Sequence, residues 1–313
     1  MKHLFIINPA AGSRNPTESY RKQIAEVCGE LGVEYSIEIS GAPGECRKIA
    51  RRAAETGEQY RIYSCGGDGT MNEIVGGVAG FPNVAVTMFA GGSGNDFARV
   101  FSEPEAFKDL RRLLDAEEAT FDLIRVNEDY SLNICSVGLD ARIGTDVTNY
   151  KRLPLLSGFR AYAASTVVNV IKGIGEHYRI ELNGEVIDGK QTLVCVCNGR
   201  YYGGGFNPVP EADPADGKLE VLVIRNVSRF LVAKVIGKYK NGRYAELQDL
   251  VRHFSTDRVK ITCDKITPIN LDGELRMAQV ADIRLADEKI RFFYPKGLTW
   301  RKTPIAGEAT YAL

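Results

Sequence analysis

The stretch Arg61–Val78, RIYSCGGDGTMNEIVGGV, reads as a short apolar strand (RIYSC), a glycine loop (GGDGT, 66–70) and a helix near Met71–Val78. A strand that passes through a glycine turn into a helix opens a βα unit. The same order recurs on both sides of it. Upstream, the apolar run KHLFIIN (2–8) leads through NPAAGS (8–13) to a helix from Pro16 to about Leu31. Tyr20, Ile24, Val27 and Leu31 stand there at helical spacing. YSIEI (35–39) is a second strand and Gly44–Glu55 a charged helix. Downstream, VAVTMF (84–89) is a strand that ends in the glycine loop GGSGND (91–96). This alternation predicts an α/β domain over residues 1–125 with a mostly parallel, Rossmann-like sheet. Its short, fully apolar strands suit a sheet covered on both faces.

The pattern changes after Asp122. Strand-like runs dominate: YSLNICSV (130–137), YRIELN (178–183), TLVCVCN (192–198), KLEVLVI (218–224), VKITC (259–263), ADIRLA (281–286) and KIRFFY (289–294). Turn signals separate them, among them Asn183-Gly184, Asp188-Gly189, Asp216-Gly217 and Asp272-Gly273. The expectation is a mostly antiparallel β-sandwich domain over 126–295. Two helices, around Gly158–Ile174 and Arg229–Tyr239, interrupt it. Residues 296–313 form a tail expected to pack back on the first domain.

Composition narrows the function. Forty Lys and Arg balance forty Asp and Glu, so the chain as a whole has no net attraction to nucleic acid, and no nucleic-acid partner is expected. No apolar run reaches the ~18 residues that span a bilayer. The four-residue apolar run Leu4–Ile7 near the N-terminus is too short for a signal peptide and reads as a strand. A cytoplasmic protein is the expectation. The seven cysteines are odd in number and scattered, unlike a disulfide framework. Cys195 and Cys197 share one strand face as small buried hydrophobes, and His3, His177 and His253 are isolated. No zinc or haem site follows.

Three glycine-rich loops, at 8–13, 66–70 and 91–96, stand at the ends of predicted parallel strands. Ligands of open α/β sheets bind outside those ends. Glycines there let backbone N–H groups approach phosphate oxygens, and a helix N-terminus adds partial positive charge. One such loop is weak evidence, because tight βα turns need glycine anyway; three on one sheet edge are stronger. The chain lacks a Walker G-x-x-x-x-G-K-[ST], a G-x-G-x-x-G after a strand, and the kinase triplets HRD and DFG. Walker ATPase, Rossmann dehydrogenase and protein kinase readings are therefore poor fits.

GGDGTMNEIVGG (66–77), with NPAAGS upstream and GSGNDFAR (92–99) downstream, resembles the diacylglycerol kinase catalytic domain. The nearest branch is that of small soluble bacterial lipid kinases, related in fold to NAD kinases. The likeness continues through NICSVGLDA (133–141), CNGRYYGGGFNPVPEADPADGKLEV (197–221) and LDGE (271–274). It thus covers nearly the whole chain. It implies an ATP site lined by Asn8, Pro9, Ala10, Gly12, Ser13, Ser40, Gly66, Gly67, Asp68, Gly69, Thr70, Asn72 and Ser93. Asp68 would sit at the phosphates and help hold Mg²⁺, and Glu274 would be the general base on the lipid hydroxyl. Asp213, Asp216 and Lys218 would hold a structural Mg²⁺, through the Asp216 carboxylate and the other two carbonyls. Three positions depart from the family: Ala90 and Ser93 stand where Pro and Thr are usual, and Ser40 where Thr is common.

The residues themselves leave alternatives. Asp68 suits a metal and phosphates but also a helix cap. Glu274 and Asp216 each belong to an Asp-Gly turn. Asp96 either caps the next helix or joins a carboxylate network around Asp68, and Asp122 is a further candidate for that network. The segment 150–175 mixes Lys151, Arg152, Arg160 and Lys172 with Leu153, Leu155, Leu156 and Phe159. It suits either a membrane surface or core packing. The cluster Lys234, Lys238, Lys240 and Arg243 is a second basic candidate, or a solvated helix face.

The combined expectation is an ATP- and Mg²⁺-dependent lipid kinase at the inner face of the membrane, with diacylglycerol as default substrate. Its alternatives are a kinase for another lipid alcohol, such as a sphingoid base or a phosphatidylglycerol-like lipid, and a catalytically silent nucleotide- or lipid-binding regulator. The partners expected are a membrane-presented lipid, peripheral membrane contact and a homo-oligomer.

Overall fold

The computed structural model describes residues 1–12, 15–91, 94–139, 141–142 and 175–300. Its first half alternates β1 (Lys2–Ile7), α1 (Thr17–Leu31), β2 (Tyr35–Ile39), α2 (Glu45–Glu55), β3 (Tyr60–Gly66), α3 (Asp68–Val78) and β4 (Val84–Ala90). A short helix α4 (Leu110–Leu114) and β5 (Ala116–Phe121) follow. The strands β1 to β4 pair in parallel, as the βαβ pattern predicts, and their order in the sheet is β2-β1-β3-β4. The inner strands β1, β3 and β4 are mostly buried because helices cover the sheet, with Phe5, Ile6, Ile7, Ile62, Tyr63 and Val86 fully enclosed, whereas the edge strand β2 buries none of its residues.

The second sheet holds β6 (Ile124–Val126), β7 (Asp129–Ser131), β8 (Ile134–Gly138), β9 (Glu176–Leu182), β10 (Glu185–Cys197) and β11 (Leu219–Arg225). After α5 (Arg229–Lys240) come β12 (Val251–Thr256), β13 (Arg258–Leu271) and β14 (Glu274–Leu285). All its pairings are antiparallel, in the order β12-β11-β10-β8-β13-β14-β6-β7. β9 pairs with both β10 and β13, so the sheet folds around one interior that includes Val137, Tyr178, Ile180, Val196, Ile261 and Ile283. Asn183 and Gly184 both have positive φ, 50° and 77°, as the hairpin turn between β9 and β10 requires.

Four expectations change. The strand β15 (Ile290–Pro295), read in the sequence with the second domain, returns to the first sheet between β4 and β5. An apolar run such as KIRFFY states that it is buried, not which sheet buries it. Asp188-Gly189 lies inside the long strand β10, Gly189 opposite Tyr178, and is no turn. The run at 130–137 divides into β7 and β8, with Leu132 and Asn133 between them. The helix expected from about Met71 begins at Asp68. The helix expected at 158–174 lies outside the described residues.

Residues 296–300 follow β15 onto the first domain. Ser102 N donates to Thr299 O at 2.8 Å, and Trp300 stacks edgewise on Phe121 and Tyr294. Phe97, Phe101, Phe107 and Phe292 complete this aromatic cluster. Truncating one such ring costs about 3–5 kcal/mol. The cluster anchors β15 and, through it, the chain leaving β14.

Candidate active site

Because β1, β3 and β4 run parallel, the loops at their carboxyl ends meet at one edge. Asn8 joins two of them. Its Oδ1 accepts from Ala10 N at 3.0 Å, and its Nδ2 donates to Thr70 Oγ1 at 3.0 Å. The early start of α3 puts Asp68, Gly69 and Thr70 in the first helical turn, where free N–H groups point at the cleft. Apolar periodicity begins only at Met71, so it could not register that turn.

A cleft of about 490 Å³ lies between this edge and the second sheet. Asn8, Ala10, Gly12, Gly67, Asp68, Gly69, Thr70 and Asn72 line it from the first domain. Glu274 faces them from the start of β14. A Cβ on Gly69 would stand 2.6 Å from Glu274 Oε1, so only glycine lets the carboxylate approach the phosphate-type loop this closely. Burial raises the Glu274 carboxyl above its ordinary value, against the opposing pull of Arg276. Arg276 Nε meets Asp129 Oδ2 at 2.9 Å, and Asp129 Oδ1 meets Arg47 Nη1 of α2 at 3.1 Å. This ion triad ties the strand carrying Glu274 to the first domain.

Asp68 accepts from Asp96 N at 2.7 Å through Oδ1. Its carboxyl is pushed up to about 7, first by burial and then by the charge of Asp96. A Cβ on Gly94 would lie 2.3 Å from its Oδ2, so the third loop needs glycine there. Asp96 is buried. It accepts from Gly204 N at 2.8 Å and faces Arg99 Nε at 3.3 Å. Of its two sequence readings, the network beside Asp68 is the one the structure shows.

Asp272 was read only as a turn residue. Its φ is 52°, and its carboxylate accepts from the amides of Leu132 at 2.7 Å, Asn133 at 3.1 Å and Ile134 at 2.8 Å. Asn72 Nδ2 adds a fourth contact at 3.3 Å while also donating to Tyr130 O at 3.0 Å. Asp272 thus closes the gap between β7 and β8 and fixes the turn from which Glu274 projects. No sequence signal separates this aspartate from any other Asp-Gly turn. Glu73, Asn133, Asn270 and the loop Tyr202–Gly204 also line the cleft and had been given no role.

Other expected residues lie elsewhere. Ser40 is buried at the end of β2 with Oγ 3.5 Å from Ile7 O, and it does not line the cleft. Pro9 and Gly66 do not line the cleft, and Ser13 and Ser93 lie outside the described residues. Asp122 belongs with the Asp213–Lys218 loop and not with Asp68. Its Oδ2 accepts from Gly217 N at 2.9 Å and its Oδ1 pairs with Lys289 Nζ at 2.5 Å. In that loop Asp213 Oδ1 accepts from Ala215 N at 3.0 Å and Asp216 Oδ1 from Lys218 N at 3.0 Å. Among the described residues no group of three or more His, Cys, Asp or Glu is arranged to hold a metal. The site therefore offers amides and a helix N-terminus for phosphates, crowded carboxylates for a cation, and one carboxylate placed to take a proton.

The family model of the diacylglycerol kinase catalytic domain matches residues 2–126, and that of the YegS C-terminal NAD kinase beta sandwich-like domain matches residues 133–293. A Staphylococcus carnosus protein named "Putative lipid kinase" is 26% identical over 297 residues, 93% of this chain and 96% of its own. One from Staphylococcus aureus (strain JH9), also named "Putative lipid kinase", is 22% identical over 270 residues, 86% of this chain and 88% of its own. Two crystal structures of diacylglycerol kinases from Bacillus anthracis, one described as "putative", share the fold. Their TM-scores are 0.72 and 0.66 at 21% and 19% identity, each over 94% of this chain and 96% of the other. With the catalytic α/β half and the sandwich-like half matched in order, the chain belongs to the diacylglycerol kinase-like family of lipid kinases.

Proposed function

We propose that the chain transfers the γ-phosphoryl group of ATP to the hydroxyl of a membrane lipid, converting diacylglycerol to phosphatidic acid. The observation that carries this reading is the approach of Glu274 to Gly69, which puts a proton-accepting carboxylate against the glycine loop at the start of α3. Gly67, Gly69 and Thr70 present backbone N–H groups to the phosphates, and Asn8 holds the loop in place. The lipid hydroxyl enters from the second domain and loses its proton to Glu274. Its oxygen bonds to the γ-phosphorus, and the bond to the β,γ-bridging oxygen breaks to release ADP.

The donor chemistry of the cleft fits Mg²⁺. Asp68 and Asp96 are hard oxygen donors, the charge of Asp96 helps raise the Asp68 carboxyl, and a nucleotide-borne magnesium needs only one or two carboxylates besides phosphates. When bound, it would neutralise charge on the phosphates. The test of the reaction is a labelled-ATP assay in mixed micelles with diacylglycerol, a sphingoid base and phosphatidylglycerol, products separated by chromatography. Phosphatidic acid formed faster than any other product supports the reading; label in another lipid only, or in none, overturns it.

The same reading makes the protein cytoplasmic and peripheral to the inner membrane face. No helix among the described residues is long and apolar enough to cross a membrane.

Asp213, Asp216 and Lys218 fit a second, structural Mg²⁺. The Asp216 carboxylate spends one oxygen on Lys218 N, and carbonyls plus water complete sets of the kind magnesium takes. Asp216→Ala is expected to lower the thermal midpoint of the protein and to remove the rise that millimolar Mg²⁺ gives the wild type. Equal midpoints for the two proteins with and without Mg²⁺ would show the loop to be an ordinary turn.

A further inference from the structure

The stretch Val221–Ala245 contains no Asp or Glu and six basic residues, Arg225, Arg229, Lys234, Lys238, Lys240 and Arg243, in a chain whose charges balance over its whole length. The helix α5 occupies its middle, and Tyr239 is its one buried residue among the described side chains. Phe230, Ala233, Lys234, Gly237 and Lys240, spaced three and four apart, are all exposed on one face, with Ile236 at its border. Phe230 is 83% exposed, an extreme value for a large aromatic side chain whose burial is favourable. Lys238 and Arg243 share Glu246 at 3.1 and 2.5 Å, whereas Lys234 and Lys240 have no carboxylate in ion-pair range among the described residues.

The helix is fixed to the mouth of the cleft. Tyr239 Oη lies 3.0 Å from the hydroxyl of Tyr202, which lines the cleft, and Asn207 N donates to Lys240 O at 2.9 Å. We infer that the exposed face of α5 is a docking surface for an anionic lipid bilayer. Phe230 and Ile236 enter the headgroup boundary, and Lys234 and Lys240 meet anionic headgroups. Lysines without a carboxylate partner, Lys240 resting only over the Phe206 ring at 5.5 Å, beside protruding apolar side chains match the two sides of such an interface, negative charge outside and hydrocarbon beneath. A nucleic acid would satisfy the lysines and leave Phe230 in water. This inference rests on the lipid-kinase reading for its purpose, since a lipid substrate must be reached at a surface.

The test uses the full chain and sedimentation with vesicles of phosphatidylcholine alone or with phosphatidylglycerol. Wild type is expected to bind the anionic vesicles and to lose binding as salt rises. Each basic residue near such a surface contributes roughly fivefold in binding, so Lys234→Glu combined with Phe230→Ser should bind at least about tenfold more weakly. Both positions are exposed, so the thermal midpoint should not move. Turnover of a short-chain, water-dispersed lipid should stay within about twofold of wild type while turnover of vesicle-borne lipid falls with binding. Equal vesicle binding by variant and wild type overturns the inference, as does RNA displacing the vesicles. Loss of vesicle binding in the variant, with no lipid phosphorylated by either protein, supports the docking surface and overturns the kinase reading instead.

Discussion

Glu274→Gln is expected to lower kcat by about 10²- to 10⁴-fold, the usual span for a general base. A lipid alcohol holds its proton far above neutral pH, so the proton must leave as the oxygen attacks phosphorus. A carboxylate can take it; an amide of the same shape cannot. Glu274 is seated for this by three features already described: the Asp272–Gly273 turn, the absence of a side chain on Gly69, and the Arg276–Asp129–Arg47 triad behind β14. ATP affinity should be kept or improved, because the substitution removes negative charge from beside the phosphate loop. The pH profile gives a second reading. Burial raises the Glu274 carboxyl, and the base acts only when ionised, so wild-type kcat should fall as pH drops through that raised value. The variant should lose this acid limb. The measurement is calorimetric ATP binding beside steady-state turnover across pH. Near-normal turnover with an unchanged profile would make Glu274 a hairpin residue and place the base elsewhere.

Much of the first domain could be read from the sequence because its signals are local. An apolar run, a glycine turn and an amphipathic stripe each state their own structure, and the parallel pairing of β1 to β4 follows from their alternation, though their order β2-β1-β3-β4 does not. The exact reach of α3 could not be read that way, since Asp68 and Gly69 are poor helix formers that precede the apolar stripe beginning at Met71. The return of β15 to the first sheet was hidden for a different reason: it depends on a partner about 200 positions away, Arg291 opposite Ala85. The site divides likewise. Asp68 and Glu274 sit in distinctive short motifs. Asp272 works through backbone amides of Leu132, Asn133 and Ile134, a partnership that no spacing in the sequence announces. Asp122 looked like a neighbour of Asp68 because it ends the first domain, yet its carboxylate faces Gly217 and Lys289.

Asp68→Asn should reduce turnover by about 10²-fold or more and at the same time stabilise the metal-free protein at pH 8. The two effects share one cause. In the folded state the Asp68 carboxyl is pushed up to about 7, so folding is coupled to proton uptake between its unfolded value and about 7. Ionised Asp68 therefore costs stability, a cost fully present above about 7 and absent at acid pH, where the carboxyl is protonated in both states. Asparagine carries no charge at any pH and can still accept from Asp96 N, which holds the third loop in place. With EDTA present, the thermal midpoint of the variant should exceed that of the wild type by about 2 °C or more at pH 8, and the gap should close towards pH 4. Added Mg²⁺ with nucleotide should raise the wild type more than the variant, because the crowded pair of Asp68 and Asp96 is what a cation relieves. A structural aspartate behaves in the opposite way: its loss lowers the midpoint at pH 8 and leaves chemistry largely intact. If Asp68→Asn keeps more than about a tenth of wild-type kcat, the carboxylate does not act on the transferring phosphoryl group. If it also melts earlier than wild type at pH 8, the Asp68–Asp96 contact serves to close the loops and not to bind the nucleotide.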